Sequence, residues 1–219
     1  MLSIRDLFDL EHSAAGEWLK QFTYPHEALA GIGDLIRSLG ASLSAEEYEK
    51  RGEDVWLHKT ARIAPTAFIH GPCIIGPDSE VRHCAFIRGD ALVGAGCVVG
   101  NSTELKNVIL FDKVQVPHFN YVGDSILGYK AHMGAGAITA NVRADKSPVI
   151  IREGAERLDT ARKKVGASLG DEAEVGCNAV LAPGAVMGRG AQAYPTSYVR
   201  GTVPANHIHK ADGTVIPKR

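Results

Sequence analysis

Aliphatic residues recur at every sixth position over much of this chain. An unbroken run of eight comprises Ile63, Ile69, Ile75, Val81, Ile87, Val93, Val99 and Leu105. A second, mostly small residue stands four positions after each of them. Neither the 3.6-residue period of a helix nor the two-residue alternation of a half-buried strand produces this spacing. Hexapeptide repeats are typical of parallel β-helices, in which each coil stacks on the previous one.

The repeat continues beyond Leu105 with two shortened steps and one long interruption. The spacing drops to five at Leu110 and again at Leu127, and the pattern returns at Leu169 and can be followed to Val199. We therefore predict an all-β protein in which residues 53–203 form a triangular parallel β-helix. Glycine follows many of the aliphatic residues, and we expect it there because a tight corner needs a permissive backbone.

The first 52 residues lack the repeat and are predicted to form a helical cap. Apolar positions between 29 and 39 follow helical spacing, and Gly40 is placed to end that helix. Ser44 and Glu47 form a capping-box pattern that predicts a further helix. Because a β-helix leaves an unpaired edge at each end, we expect this N-terminal cap to cover the first coil.

Two other segments depart from the repeat. Residues 142–164 are rich in charge and form an excursion that predicts either a solvated hairpin or an arm toward a neighbouring subunit. In residues 204–219, Asp212-Gly213 is a turn signal between two short apolar stretches. This pattern predicts a C-terminal hairpin and tail.

Composition narrows the classes of function. The 219 residues carry a net charge of −1, so bulk charge does not indicate a nucleic-acid partner. No apolar run is long enough for a membrane span, and the N-terminus does not resemble a signal peptide. The four cysteines, of which Cys73 and Cys97 occupy the small repeat position, are best interpreted as thiols. We expect a cytoplasmic protein.

Polar residues that could perform chemistry concentrate in one stretch. Residues 116–146 read VPHFNYVGDSILGYKAHMGAGAITANVRADK and contain two histidines, two asparagines, two tyrosines and two lysines. Together with VGNSTELKN earlier in the chain, this stretch resembles the C-terminal acetyltransferase domain of the bacterial bifunctional N-acetylglucosamine-1-phosphate uridyltransferases. The resemblance spans about residues 63–200. It implies a left-handed β-helix, a homotrimer with sites between subunits, and acetyl-CoA as co-substrate.

The resemblance also implies roles for individual residues. His118 matches the catalytic base of that family, which suits the removal of a proton from an attacking amine. Ala135 and Cys177 match positions beside the coenzyme, although Cys177 replaces a serine. The residues matched to amino-sugar phosphate binding are Arg88, Lys106, Tyr121, His132, Asn141 and Lys146. His132 replaces an asparagine of the family, which leaves the identity of the amino sugar open.

The function implied by the resemblance is transfer of an acetyl group from acetyl-CoA to the amine of glucosamine or galactosamine 1-phosphate. Nothing in the sequence calls for a divalent cation. A second interpretation is a non-catalytic or regulatory partner of a sugar-1-phosphate nucleotidyltransferase, since no nucleotide-binding domain is present in these residues. A third is a zinc enzyme of the γ-carbonic anhydrase type. The sequence disfavours it, because His70, His83, His118 and His132 are spaced by 13, 35 and 14 residues and lack the close pair such a site needs.

Overall fold

Stacked parallel strands make up most of the computed structural model, which describes residues 1–219. The helices are α1 (Ile4–Leu7), α2 (Gly16–Leu19), α3 (Pro25–Ala28) and α4 (Ile32–Ser42), with a 3-10 turn at Leu10–His12. The strands are β1 (Tyr48–Lys50), β2 (Val55–His58), β3 (Arg62–Ile63), β4 (Phe68–Ile69), β5 (Cys73–Ile75), β6 (Glu80–Val81), β7 (Phe86–Ile87), β8 (Ala91–Val93), β9 (Val98–Asn101), β10 (Glu104–Leu110), β11 (Gln115–His118), β12 (Tyr121–Leu127), β13 (His132–Met133), β14 (Ile138–Thr139), β15 (Ile150–Glu153), β16 (Glu156–Asp159), β17 (Ala167–Leu169), β18 (Glu174–Val175), β19 (Val180–Leu181), β20 (Ala185–Met187), β21 (Gln192–Ala193), β22 (Tyr198–Val199), β23 (Thr202–Val203), β24 (His207–His209) and β25 (Val215–Pro217).

The coils form a three-sided β-solenoid, as the repeat predicts. Face A contains β2, β5, β8, the second halves of β10 and β12, then β17, β20 and β23. Face B contains β3, β6, β9, β11, β13, β18, β21 and β24. Face C contains β4, β7, the first halves of β10 and β12, then β14, β19 and β22. Neighbouring coils pair in parallel within each face, so backbone groups find partners above and below.

The residues of the six-residue repeat fill the interior. From Ile75 to Val199 every repeat residue is buried, whereas Ile63 and Ile69 of the first coil are only partly covered. Even Thr139, the one polar member, is fully buried, because its hydroxyl accepts a hydrogen bond from the Gly123 amide. The interior is therefore one continuous apolar core.

The glycines beside the repeat residues serve close stacking rather than backbone freedom. Gly76 and Gly94 do not have positive φ angles, and a Cβ on Gly76 would lie 2.7 Å from the Gly94 carbonyl carbon. The left-handed corner positions are occupied instead by other residues, among them Asp78 and Cys84. The expectation that these glycines supply corner conformations is wrong, since the backbone of the next coil is what excludes a side chain.

The two shortened steps change how the chain turns from face C into face A. At these steps β10 and β12 each run through the corner as one seven-residue strand. A single left-handed residue makes the corner, Asn107 in β10 and Asp124 in β12, where an ordinary coil uses two residues such as Gly89 and Asp90. The shortened steps thus bring polar side chains into tight register along the edge between faces C and A.

The outer side of face A is apolar, and the N-terminal segment covers it. A column of outward side chains consists of Trp56, Ile74, Leu92, Ile109 and Ile126, all of them buried. Helix α4 packs on β5, β8 and β10, while the first helix reaches the later coils. These helices lie along a side of the solenoid, and only β1, antiparallel to β2, covers the edge of the first coil.

Two details of the predicted cap are wrong. Gly40 lies inside α4 rather than ending it. A glycine is needed there because a Cβ would lie 2.5 Å from the Trp56 ring. No helix follows Ser44; residues 44–47 form a turn in which the Ser44 carbonyl accepts a hydrogen bond from the Tyr48 amide. The segment then enters β1. Packing against face A and pairing with β2 outweigh the local capping pattern.

The excursion at residues 142–164 folds as a hairpin on its own chain. An antiparallel bridge joins Val142 to Lys164 at its base, and β15 pairs with β16 above it. Val149 and Ile151 are buried against β20 and β23 of face A. At the other end, β24 and β25 form the predicted C-terminal hairpin around Asp212-Gly213.

Candidate functional site

Most of the predicted site residues lie on face C or at its two edges. On face C, Phe86, Glu104, Tyr121 and Ile138 pair in register and point outward. Arg88 stands two positions after Phe86, and Lys106 stands two positions after Glu104. Both side chains therefore point outward from face C in successive coils and form a second column beside the first. The solenoid therefore brings Arg88, Lys106 and Tyr121 onto one surface, as the resemblance implies.

A buried carboxylate organises the edge between faces C and A. Asp124 is 3% exposed, and its Oδ1 accepts hydrogen bonds from Lys106 Nζ at 2.9 Å and Asn107 Nδ2 at 2.9 Å. Its Oδ2 accepts from Asn141 Nδ2 at 2.6 Å, and Asn141 also donates to the Tyr121 hydroxyl at 3.1 Å. One carboxylate thus fixes the orientation of a lysine, two amides and, through Asn141, a phenol.

The charges on face C are paired but accessible. Arg88 Nη1 donates to Glu104 Oε1 at 2.7 Å, and this hydrogen bond raises the pKa of the already strongly basic guanidinium. Burial and the nearby Asp124 raise the pKa of the Tyr121 hydroxyl, which therefore stays protonated and can donate to a ligand. Lys106 keeps 27% of its side chain exposed, so a phosphate could reach its ammonium.

His118 lies at the opposite edge of face C, between faces B and C. Its side chain is exposed and the imidazole forms no hydrogen bond within the chain. The next coils place Ala135 and then Cys177 along the same edge, as shown by the hydrogen bonds from Gly136 N to His118 O and from Asn178 N to Ala135 O. The B–C edge is thus a column of the predicted base and the two predicted coenzyme residues.

The chain around His118 is held from below by Asn120. This side chain is 2% exposed; its Oδ1 accepts from the His118 amide at 3.1 Å, and its Nδ2 donates to the carbonyls of Gly134 and Ala137 at 2.8 and 3.1 Å. Asn120 therefore ties the His118 corner to the loop that carries Ala135. The Ala135 amide itself donates to no atom of the chain and remains available.

Two of the predicted substrate residues do not join this group within one chain. His132 lies on β13 of face B, where its Nδ1 is 2.9 Å from Glu174 Oε2. Lys146 is exposed in the excursion, directly after the ion pair between Arg143 and Asp145. Neither side chain is hydrogen-bonded to Arg88, Lys106 or Tyr121 within the chain.

No three or more His, Cys, Asp or Glu side chains in the structure are grouped closely enough to hold a metal ion. None of the helices combines the length and apolar character that a bilayer span requires.

Comparison with known proteins adds to this geometry. Residues 52–153 match a family model described as the GMPPB C-terminal domain. The chain is 33% identical over 136 residues to the bifunctional protein GlmU of Methanococcus maripaludis, covering 62% of this chain and 33% of that protein. It is 30% identical over 135 residues to a bifunctional sugar-1-phosphate nucleotidylyltransferase/acetyltransferase of Sulfurisphaera tokodaii, covering 62% and 32%. The chain is thus similar in sequence to part of these bifunctional proteins, and its six-residue repeat folds as a β-solenoid.

This chain spans about a third of the length of those curated relatives. Among solved structures, a hexapeptide transferase family protein from Anaplasma phagocytophilum is similar with a TM-score of 0.44 and 19% identity. The similarity covers 75% of this chain and 79% of that one.

The sequence did not predict the residues that hold this candidate site together. Asp124, Glu104 and Asn120 are not among the predicted site residues, yet they bind or orient residues that are. The sequence does contain a signal for Asp124. Asp90, Asn107, Asp124 and Asn141 are spaced by 17 residues, one shortened coil each, and this spacing predicts a polar column at one edge.

Proposed function

We propose that this chain is an acetyl-CoA-dependent N-acetyltransferase that acts on an amino-sugar 1-phosphate. The observation that carries the proposal is the placement of an unpartnered imidazole, His118, at the edge of the face that presents Arg88, Lys106, Tyr121 and Asn141. The relative from Sulfurisphaera tokodaii is named as an acetyltransferase in combination with a sugar-1-phosphate nucleotidylyltransferase. In such a pairing the nucleotidylyltransferase consumes a sugar 1-phosphate, the class of molecule on which the proposed acetyl transfer acts.

The proposed chemistry is direct transfer. The neutral amine of the sugar attacks the thioester carbonyl carbon, a C–N bond forms and the C–S bond breaks, and the coenzyme leaves as a thiolate. His118 accepts the proton lost by the amine and returns it to the thiolate. The free amide of Ala135, one coil away, is available to stabilise the oxyanion of the tetrahedral intermediate.

The phosphate is proposed to bind where the guanidinium of Arg88 and the ammonium of Lys106 share one column. Both cations have carboxylate partners, Glu104 and Asp124, which hold them in place before the ligand arrives. Preorganised cations require less reordering when the substrate binds. Coenzyme A is proposed to run along the B–C edge past Ala135 and Cys177, parallel to the axis of the coils.

A homotrimer would complete this site. Face C exposes an in-register column of apolar side chains that includes Phe68, Phe86, Ile138 and Tyr198, of which Phe68 is 56% and Tyr198 60% exposed. Phe119 adds a ring that is 62% exposed at the B–C edge. Exposed apolar side chains aligned in this way are typical of interfaces, although Glu104 interrupts the column between Phe86 and Tyr121. Packing such a face against another copy would bring His132 and Lys146 of a neighbour toward it.

We expect Phe86→Asp to convert the trimer into monomers, because a charge at the centre of the column would be desolvated in the interface. Analytical ultracentrifugation measures the mass of each species. Phe22→Asp, on the N-terminal segment away from face C, would be an unsuitable control. Phe22 packs on Trp18, so a charge there would disturb the fold. Lys59→Asp, at an exposed turn after β2, is the matched control and should stay trimeric. A wild-type protein of monomer mass contradicts the assembly.

The direct test of the function is release of free CoA thiol from acetyl-CoA in the presence of an amino-sugar phosphate. Glucosamine 1-phosphate, galactosamine 1-phosphate and glucosamine without phosphate form the comparison. We expect release with at least one 1-phosphate and a large loss with the unphosphorylated sugar, because Arg88 and Lys106 then have no anion to bind. Absence of release with every hexosamine phosphate contradicts the proposal.

A non-catalytic partner of a nucleotidyltransferase is the second candidate. One observation favours it: the family model that matches residues 52–153 is not named for acyl transfer. Acetyl-CoA separates the two candidates, because a ligand that binds only the folded protein raises its melting temperature. A catalytic chain should show a saturable increase with acetyl-CoA, whereas a purely structural partner should show none.

A further inference from the structure

The hairpin that interrupts the solenoid forms a cavity with the last coils. Arg152, Arg157 and Arg200 line it together with Gly154, Gly201 and Thr202, and its volume is about 440 Å3. The Thr202 hydroxyl donates to the Arg152 carbonyl at 2.8 Å, which fixes the hairpin to β23. Three arginines therefore line one cavity whose walls come from separate parts of the chain.

The register of the hairpin places like charges opposite each other. Arg152 pairs with Arg157 and Glu153 pairs with Glu156 across the two strands. Like charges directly opposite destabilise a strand pair unless something compensates them. Because successive side chains of a strand point to opposite faces, the two glutamates lie on one face of the hairpin and the two arginines on the other.

The glutamate face has its counter-ion within the chain. The amino group of Met1 lies 3.1 Å from Glu153 Oε2 and 3.0 Å from Glu156 Oε2, and the Leu2 amide donates to Glu153 Oε2 at 2.9 Å. The arginine face has none. No carboxylate lies within 4.0 Å of the guanidinium groups of Arg152, Arg157 or Arg200, whereas the nearby Arg143 is paired with Asp145 at 2.8 Å.

The electrostatic effect of this arrangement is visible at Arg152. Burial together with the positive charges of Arg157, Arg200 and Arg143 lowers the pKa of its guanidinium. An arginine in such surroundings is stabilised by an anion, and its planar donor fork matches the oxygens of a phosphate. Gly154 leaves open space beside Arg152, since a Cβ on Gly154 would meet no atom within 4 Å.

We propose that Arg152, Arg157 and Arg200 bind a phosphate group carrying two negative charges, as a monoester or a diphosphate. The site is separate from His118. Arg200 follows β22, which lies three coils beyond the Tyr121 coil through β14 and β19, or about 14 Å at the usual spacing of paired strands. The proposal stands on the unpaired arginines and does not depend on acetyl transfer.

Isothermal titration calorimetry with pyrophosphate at low salt tests the site. Wild-type protein should bind it saturably, and Arg157→Gln and Arg200→Gln should each weaken binding at least tenfold. Arg51→Gln is the matched control, because Arg51 is paired with Glu49 on the distant β1 and should bind as the wild type does. Without ligand, Arg157→Gln should melt at the same or a higher temperature than the wild type, since it removes repulsion.

Two further titrations identify the source of the phosphate. Tighter binding of CoA than of 3′-dephospho-CoA, lost in Arg200→Gln, supports the site and assigns the 3′-phosphate of the coenzyme to it. Binding of uridine diphosphate, lost in the same variant, supports the site and assigns it to a nucleotide diphosphate. Absence of saturable binding of pyrophosphate, CoA and uridine diphosphate by the wild type overturns the proposal. An equal loss of binding in Arg51→Gln also overturns it.

Discussion

His118→Ala is expected to lower kcat for acetyl transfer by about 100- to 10,000-fold, the range for loss of a general base. The reason is the position of the imidazole: exposed, unpartnered, and at the edge of the face that carries Arg88 and Lys106. Since the ring makes no hydrogen bond within the chain, its removal should not change the melting temperature. Initial rates of CoA thiol release, with circular dichroism on the same samples, measure both quantities.

His83→Ala is the control for this experiment. His83 occupies the same edge two coils earlier, where its carbonyl accepts from Asn101 Nδ2, and its ring contacts Thr66 Oγ1 at 2.9 Å. It should keep near wild-type kcat, because it lies two coils away from His118, about 10 Å at the usual spacing of paired strands. If both variants lose activity equally, or if His118→Ala keeps it, the role assigned to His118 is wrong.

Asp124→Ala is expected to cost about 3 to 5 kcal/mol of unfolding free energy, the usual effect of removing one partner of a buried ion pair. Lys106, Asn107 and Asn141 would all lose their acceptor in the corner of one coil. Urea denaturation followed by circular dichroism gives the change. Acetyl transfer should fall as well, measured as a higher KM for the sugar phosphate, since Lys106 would no longer be held.

Asp145→Ala provides the comparison. Asp145 is an exposed carboxylate whose main partner is Arg143, so its removal should leave the free energy of unfolding nearly unchanged. Asp124→Asn keeps the shape but removes the negative charge and replaces one acceptor oxygen by a donor, which would face either Lys106 and Asn107 or Asn141, so it should remain clearly less stable than the wild type. A stability of Asp124→Ala equal to that of Asp145→Ala contradicts the organising role of this carboxylate.

The repeat predicted the fold because one residue in six must enter the interior of a narrow prism. The sequence also encodes the covering of face A, although the six-residue repeat alone does not predict it. The coils from β2 to β10 each carry three successive apolar residues on that face, such as Cys73-Ile74-Ile75 and Ala91-Leu92-Val93, and the middle one points outward. An apolar outer column needs a cover, and the amphipathic helix α4 provides it. The turn after Ser44 could not be predicted, because pairing with β2 decides it.

The site was predictable to a different extent. Motif resemblance predicted which side chains face a ligand, and the structure brings Arg88, Lys106, Tyr121 and Asn141 together on face C and its edge with face A. It could not identify Asp124 as the common partner of Lys106 and Asn141, because these contacts join different coils rather than neighbours in sequence. His132 lies on another face, where Glu174 engages it. The arginines of the hairpin share a cavity only because the excursion folds back on β23.

The N-terminal segment has a consequence for how this solenoid holds together. In stacked-repeat chains each coil usually contacts only its neighbours, so the stack can fray from an end. Here α4 lies on β5 and β8, while Leu7 accepts a hydrogen bond from the Asp171 amide and Phe8 stacks near Phe111. The N-terminal segment thus couples the first coils to the last ones, so that local unfolding at one end of the stack also destabilises the other end.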